Sequence, residues 1–186
     1  MFNAMATSSR LPQPASSTFE FASRSPDATQ QLGEALGRQL ASGDVVALIG
    51  ELGSGKTTFV QGIARGLGVD ERRVKSPTFV VMREHPGRIP LIHVDAYRLD
   101  DAVSAVSLDL DWIFSPRRVT LIEWADRIPA CLPAEYLEIR LAHKSTHQRL
   151  IIAVPHGNRG ERIVHALRLS SVERSADSVE NENKKF

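Results

Sequence analysis

Fourteen consecutive residues constrain this chain more than any others: Val45-Val46-Ala47-Leu48-Ile49-Gly50-Glu51-Leu52-Gly53-Ser54-Gly55-Lys56-Thr57-Thr58. The five apolar residues before Gly50 read as a strand buried on both faces. Gly50, Gly55, Lys56 and Thr57 then satisfy G-x-x-x-x-G-K-[ST], the phosphate-binding loop. A helix must follow such a loop, and one is predicted, because Phe59, Ile63 and Leu67 recur at i+4 with Gly66 and Gly68 as stops. The glycines let successive backbone N–H groups turn toward a phosphate, and the positive end of the helix dipole adds to the same point. In such a loop Lys56 reaches the β- and γ-phosphates and the Thr57 hydroxyl is a Mg²⁺ ligand. The fold class expected is α/β, a nucleotide-binding three-layer sandwich.

The rest of the chain is consistent with one domain of that kind. Its 186 residues carry 23 basic and 22 acidic side chains. That balance gives no field to hold nucleic acid or membrane by charge alone. Cys131 is the single cysteine, which excludes an internal disulfide, and no Cys/His cluster has zinc spacing. No apolar run approaches the ~18 residues of a membrane span. The N-terminus lacks an apolar signal segment, so a cytoplasmic location is expected. Residues 1–16 and 171–186 are polar enough to be disordered, leaving 17–170 as the domain.

Thr18 to Ala22 alternates as a short strand. Ser25-Pro26-Asp27 then carries the signals of a helix start, with Ala28, Leu32, Leu36 and Leu40 as a buried stripe and Gly43 as the stop. Phe79 to Glu84 and Ile89 to Asp95 read as strands joined by His85-Pro86-Gly87-Arg88. Val103, Val106, Leu110 and Ile113 have helical spacing, and Val119 to Glu123 is another buried strand. Leu137 to Leu141 and Leu150 to Val154 form a second hairpin turning at Ser145 and Thr146, and Glu161 to Leu169 a last helix. The sheet is therefore expected to be mixed, with antiparallel portions beside a parallel core.

Asp95 and Glu123 each end an apolar strand, which is where an α/β sheet places its ligand chemistry. A phosphate loop needs a further acid for metal or water at such a position. His93, inside the first of these strands, reads as a buried, hydrogen-bonded histidine rather than a base. Trp124 suits either a packed strand end or a place beside the site. On these features alone, an ATPase, a small-molecule or nucleoside kinase and a nucleic-acid-binding module are all represented. Arg117 and Arg118 read better as an exposed turn than as a kinase lid. Arg72, Arg73 and Lys75 lack the aromatic platform of a nucleic-acid surface.

Four motifs in order carry a resemblance: Gly50 to Phe59, Lys75-Ser76-Pro77-Thr78-Phe79, His93-Val94-Asp95-Ala96-Tyr97-Arg98-Leu99 and Ile122-Glu123-Trp124. Over roughly Asp27 to Arg149 the chain resembles the TsaE (YjeE) family, the ATPase component of bacterial tRNA threonylcarbamoyladenosine synthesis. The resemblance implies a Mg²⁺-dependent ATPase, weak alone, acting with TsaD and TsaB and meeting tRNA mainly through that complex. Carried over by motif, Leu52, Gly53, Ser54, Gly55, Lys56, Thr57 and Thr58 bind ATP, and Thr57 and Glu123 hold Mg²⁺. Lys56, Asp95 and Glu123 serve hydrolysis, Thr78 lies in a switch-like loop near the γ-phosphate, and Pro26 and Gln148 flank the nucleotide. The chain departs from the family pattern at Ala96 and across Asp101 to Asp109, where a Glu-rich helix is usual.

Overall fold

The computed structural model describes residues 18–78, 81–99 and 109–169. Its frame is a seven-stranded sheet: β1 (Phe19–Ser23), β2 (Val45–Ile49), β3 (Met82–His85), β4 (Leu91–Asp95), β5 (Val119–Glu123), β6 (Tyr136–His143) and β7 (Arg149–His156). The spatial order is β1-β7-β6-β2-β5-β4-β3. The pairs β6–β2, β2–β5 and β5–β4 are parallel, while β1–β7, β7–β6 and β4–β3 are antiparallel. The expected mixed α/β sheet is therefore present, with its parallel strands at the centre. Central β2 is shielded on both sides, which is why it reads as an unbroken apolar run rather than an alternating one.

On one face lie α1 (Pro26–Gln39), α2 (Lys56–Gly66) and the C-terminal helix, residues 157–169. They bury Leu36, Phe59, Ile63 and Val164 against Val46, Leu48, Leu91 and Leu121. The other face, with Val45, Ala47, Ile92 and Ile122, is covered by the one-turn helix Leu110–Ile113 and the short turns at Ala125–Arg127 and Pro129–Cys131. Among the described residues no helix is long and apolar enough to cross a membrane.

Local chemistry explains the boundaries. Ser25 Oγ accepts from Ala28 N at 3.0 Å and Pro26 opens α1, the expected cap. The helix stops at Gln39, before the Gly43 expected to end it, and Thr29 rather than Ala28 joins the buried stripe. Strand β3 begins at Met82 and takes in His85, which the sequence assigns to a turn. Val81 has φ 64°, a conformation that breaks extended structure just before the strand. That kink is held because Val81 N donates to Pro77 O at 2.7 Å and Asp95 N donates to Val81 O at 2.8 Å. The last helix starts at 157, four residues before the expected Glu161. Glu135 Oε1 accepts from Asn158 N at 3.3 Å there, so a side chain from a distant segment satisfies the first turn. Phe79, Val80, Val103 and Val106, and the segments 1–16 and 171–186, lie outside the described residues.

Candidate nucleotide site

The carboxyl ends of β2, β4 and β5 meet at one edge of the sheet, and the loop 50–55 leaves β2 there to start α2. Gly55, the residue before the helix, has φ +102°, a backbone state that side-chain-bearing residues avoid. A Cβ on Gly50 would overlap the Leu141 carbonyl oxygen and stand 2.8 Å from Ser54 Oγ. Among the described residues no side chain caps the start of α2, which leaves its first N–H groups available to an anion. Ser54 Oγ is buried without a hydrogen-bond partner among the described residues. Uncapped amides, an unused hydroxyl and a glycine-shaped hollow fit a phosphate.

Lys56 is almost wholly buried at the first helical position. Its Nζ donates to Gly50 O at 2.6 Å and Glu51 O at 2.9 Å, and stands 3.7 Å over the Trp124 ring. Burial lowers its pKa from the ordinary lysine value, while Glu123, Asp126 and Asp95 pull the other way. The loop's own carbonyls thus occupy the amine that the sequence assigns to phosphates. Trp124 combines both of its expected placements: it follows the last residue of β5 at φ 59°, packs against the core on that side, and its ring faces the lysine.

Thr57 Oγ1 is 3.1 Å from both Glu123 oxygens. Hydroxyl and carboxylate are hard oxygen donors, and two protein oxygens beside a phosphate suit Mg²⁺, which keeps most of its remaining shell as water. Asp95 is separately engaged. Its Oδ1 accepts from Tyr97 N at 2.9 Å, and its Oδ2 accepts from Thr78 Oγ1 at 2.6 Å and from Ser76 Oγ. Thr78, expected at the γ-phosphate, is here tied to the neighbouring acid. Both acids are about 2% exposed, so neither is an ordinary surface carboxylate.

A cleft of about 430 Å³ joins these groups, with Lys56, Thr57, Thr78, Asp95, Glu123 and Trp124 in its wall. Leu52, 81% exposed, stands at its rim. A smaller hollow of about 150 Å³ adjoins it, sharing Gly53, Gly55 and Thr58. Pro26 lies in that hollow's wall, and the β6–β7 turn contributes His147 and Arg149. Gln148 itself is not in the wall. Its carbonyl accepts from Lys144 N at 3.0 Å and Ser145 N at 3.3 Å within the turn. Sequence reasoning reads Ser76 only as part of the Ser76-Pro77-Thr78 connector that could sense a γ-phosphate, without a contact to Asp95, and gives no role to His147 or Arg149. For Ser76 the signal is the pair of hydroxyls bracketing Pro77; the other two depend on the register of a turn.

Residues 23–151 match the TsaE family, described as threonylcarbamoyl adenosine biosynthesis protein TsaE. The tRNA threonylcarbamoyladenosine biosynthesis protein TsaE of Bacillus subtilis is 39% identical over 143 residues, 76% of this chain and 89% of that protein. The protein of the same name from Streptomyces coelicolor is 43% identical over 116 residues, 60% of this chain and 77% of its own length. Among solved structures, YdiB of Bacillus subtilis superposes with a TM-score of 0.72 at 31% identity, covering 86% of this chain and 99% of that one. With the strand–loop–helix unit and both strand-end acids inside the matched region, the chain belongs to the TsaE family of threonylcarbamoyl adenosine biosynthesis proteins.

Proposed function

We propose that this protein binds ATP with Mg²⁺ in the cleft and hydrolyses it in support of tRNA threonylcarbamoyladenosine formation, with TsaD and TsaB as partners. The observation that carries the reading is the contact of Thr57 Oγ1 with both Glu123 oxygens, 3.1 Å each, at the first turn of the phosphate-loop helix. It joins the loop to a strand-end acid, the pairing that phosphoryl chemistry needs.

The roles follow from the side chains. The amides opening α2 receive the β-phosphate, and Lys56 exchanges the Gly50 and Glu51 carbonyls for phosphate oxygens. Thr57 and Glu123 hold the Mg²⁺. Held by these two side chains, Mg²⁺ would supply positive charge to offset the negative charge that develops on the phosphates. Asp95 orients the attacking water, directly or through the Ser76 and Thr78 hydroxyls it now holds. Pro26 and the 146–149 turn flank the rest of the nucleotide. Loop 75–78 then reads the γ-phosphate, and partner affinity follows nucleotide state.

The test is titration of ATP and ADP with and without Mg²⁺, then phosphate release by the protein alone and with TsaD and TsaB. Mg²⁺-dependent binding, slow release alone and faster release in the mixture are expected. No nucleotide binding, or release that ignores both partners, would refute the reading.

A further inference from the structure

Glu123 is held from two sides. Thr57 approaches from the first turn of α2, and from the adjacent strand His93 Nε2 lies 3.0 Å from Glu123 Oε1. The His93 side chain is 0% exposed and that of Glu123 is 3% exposed. Strand register places His93 beside Leu121 and Asp95 beside Glu123, so all four side chains share the α1/α2 face of the sheet. An imidazole here interrupts an apolar run from Leu91 to Val94, and burying one is unfavourable unless it is hydrogen-bonded.

The bond geometry fixes where its hydrogen sits. His93 Nδ1 is buried with no partner among the described residues. A hydrogen on Nδ1 would be an orphaned donor, and the Nε2 lone pair would face a carboxylate oxygen; both are unfavourable. The hydrogen therefore sits on Nε2 and is donated to Oε1. Behind it, the buried His85 ring stands 6.3 Å from the His93 ring, centroid to centroid, and helps fill the space on that side. With Oε1 occupied by His93, Oε2 has only the shared Thr57 hydroxyl as a partner among the described residues and keeps the larger accepting capacity.

We propose that His93 is a positioning residue. It orients the Glu123 carboxylate by donating from Nε2, so that the other oxygen is presented to a divalent cation at Thr57. This rests on the nucleotide–Mg²⁺ reading above and adds a residue to it. Partners in this position commonly change metal affinity or activity by about 10–100-fold.

Two measurements test it. In the nucleotide-free, metal-free protein, a long-range ¹H–¹⁵N spectrum of the histidines should show His93 as the Nε2–H tautomer. ADP is then titrated with and without Mg²⁺ into wild type, His93→Leu, His93→Gln and His93→Asn. In His93→Leu the Mg²⁺-dependent gain in affinity should shrink about tenfold or more, with metal-free affinity retained. His93→Gln offers an amide N–H near the Nε2 position and should keep most of the gain, whereas His93→Asn reaches only the Nδ1 position and should lose it. Should His93→Leu fail to fold, the Gln–Asn pair makes the same comparison. An Nδ1–H tautomer, or a full Mg²⁺ gain in His93→Leu or His93→Asn beside an intact wild-type gain, overturns this inference alone. Wild-type affinity that ignores Mg²⁺ overturns the nucleotide–metal reading and this inference with it.

Discussion

Replacing Gly37 by Ala tests how the phosphate loop is supported. Helices α1 and α2 approach each other through glycines on both sides. A Cβ at Gly37 would overlap the Ile63 carbonyl oxygen and lie 3.0 Å from that residue's carbonyl carbon and Cα. Gly62 has the same relation to the Gln30 carbonyl, and Gly66 to that of Glu34. Because the obstacle is backbone, no rotamer change relieves it; the helices must part by about 1 Å to reach the 3.4 Å of ordinary contact. Alanine brings about 1 kcal/mol of helix propensity relative to glycine. Against this, overpacking a core commonly costs about 1–3 kcal/mol, and parting the helices also loosens Leu36 against Phe59 and Ile63. Overpacking and lost contacts together outweigh the gain in propensity, and a net loss of about 1–2 kcal/mol is expected. For a domain of this size that lowers Tm by roughly 2–8 °C. Thermal and urea unfolding of Gly37→Ala beside wild type give the number. Melting at or above the wild-type temperature would show propensity acting unopposed and refute the close approach. A folded Gly37→Ala protein should also bind ADP more weakly, since the displaced helix begins with Lys56 and Thr57.

Three further outcomes are expected. Lys56→Ala should lose roughly 3 kcal/mol of transition-state stabilisation, read as phosphate release more than a hundredfold slower with the fold intact by circular dichroism. Glu123→Ala should weaken Mg²⁺-dependent ATP binding, whereas Asp95→Ala should bind ATP almost normally and hydrolyse poorly; titration beside steady-state phosphate release separates them, and reversed phenotypes would exchange the roles. His85 should give stability a pH slope. Burial, then the neighbouring His93 and Arg83, lower its pKa below the ordinary 6.5. The unfolded chain then binds the proton first, so the contribution is complete above pH 6.5 and is lost as pH falls toward the lower folded value. Urea unfolding between pH 5 and 7.5 should show this slope, reduced in His85→Gln.

The site is legible where its chemistry is contiguous and unreadable where it depends on register or on distant partners. Gly50 to Thr58 announces a phosphate loop because strand end, turn glycines and helix start are consecutive. Asp95 and Glu123 stand out as acids closing apolar strands, although nothing in the sequence says that β4 and β5 are neighbours. The attachment of Thr78 to Asp95 is hidden, since it follows from the Val81 kink, and a valine gives no local warning of φ 64°. The resemblance assigns Gln148 a place beside the nucleotide, whereas the hollow next to the loop is lined by its neighbours His147 and Arg149, a difference of one residue set by the register of the β6–β7 connection. The helix start at 157 escapes notice because His156-Gly157-Asn158 looks like a loop until Glu135 arrives to cap it. The glycines of α1 and α2 read as weak helix formers, and only the packed pair explains them.

The pairing of β1 with β7 fixes the order in which a growing chain can finish folding. Phe19 to Ser23 leave the ribosome early, yet their partners are Arg149 to Ala153. At about 5–20 residues per second, that wait lasts roughly 6–26 s. The parallel neighbours of β2 also come late, since β5 and β6 begin at Val119 and Tyr136. The phosphate loop at the end of β2 is therefore translated long before the strands that hold it in place. Bound nucleotide stabilises only a state that contains its site. On the proposed function, ATP would therefore favour the folded protein only near the end of synthesis and after release, and would give the first half of the nascent chain no such protection.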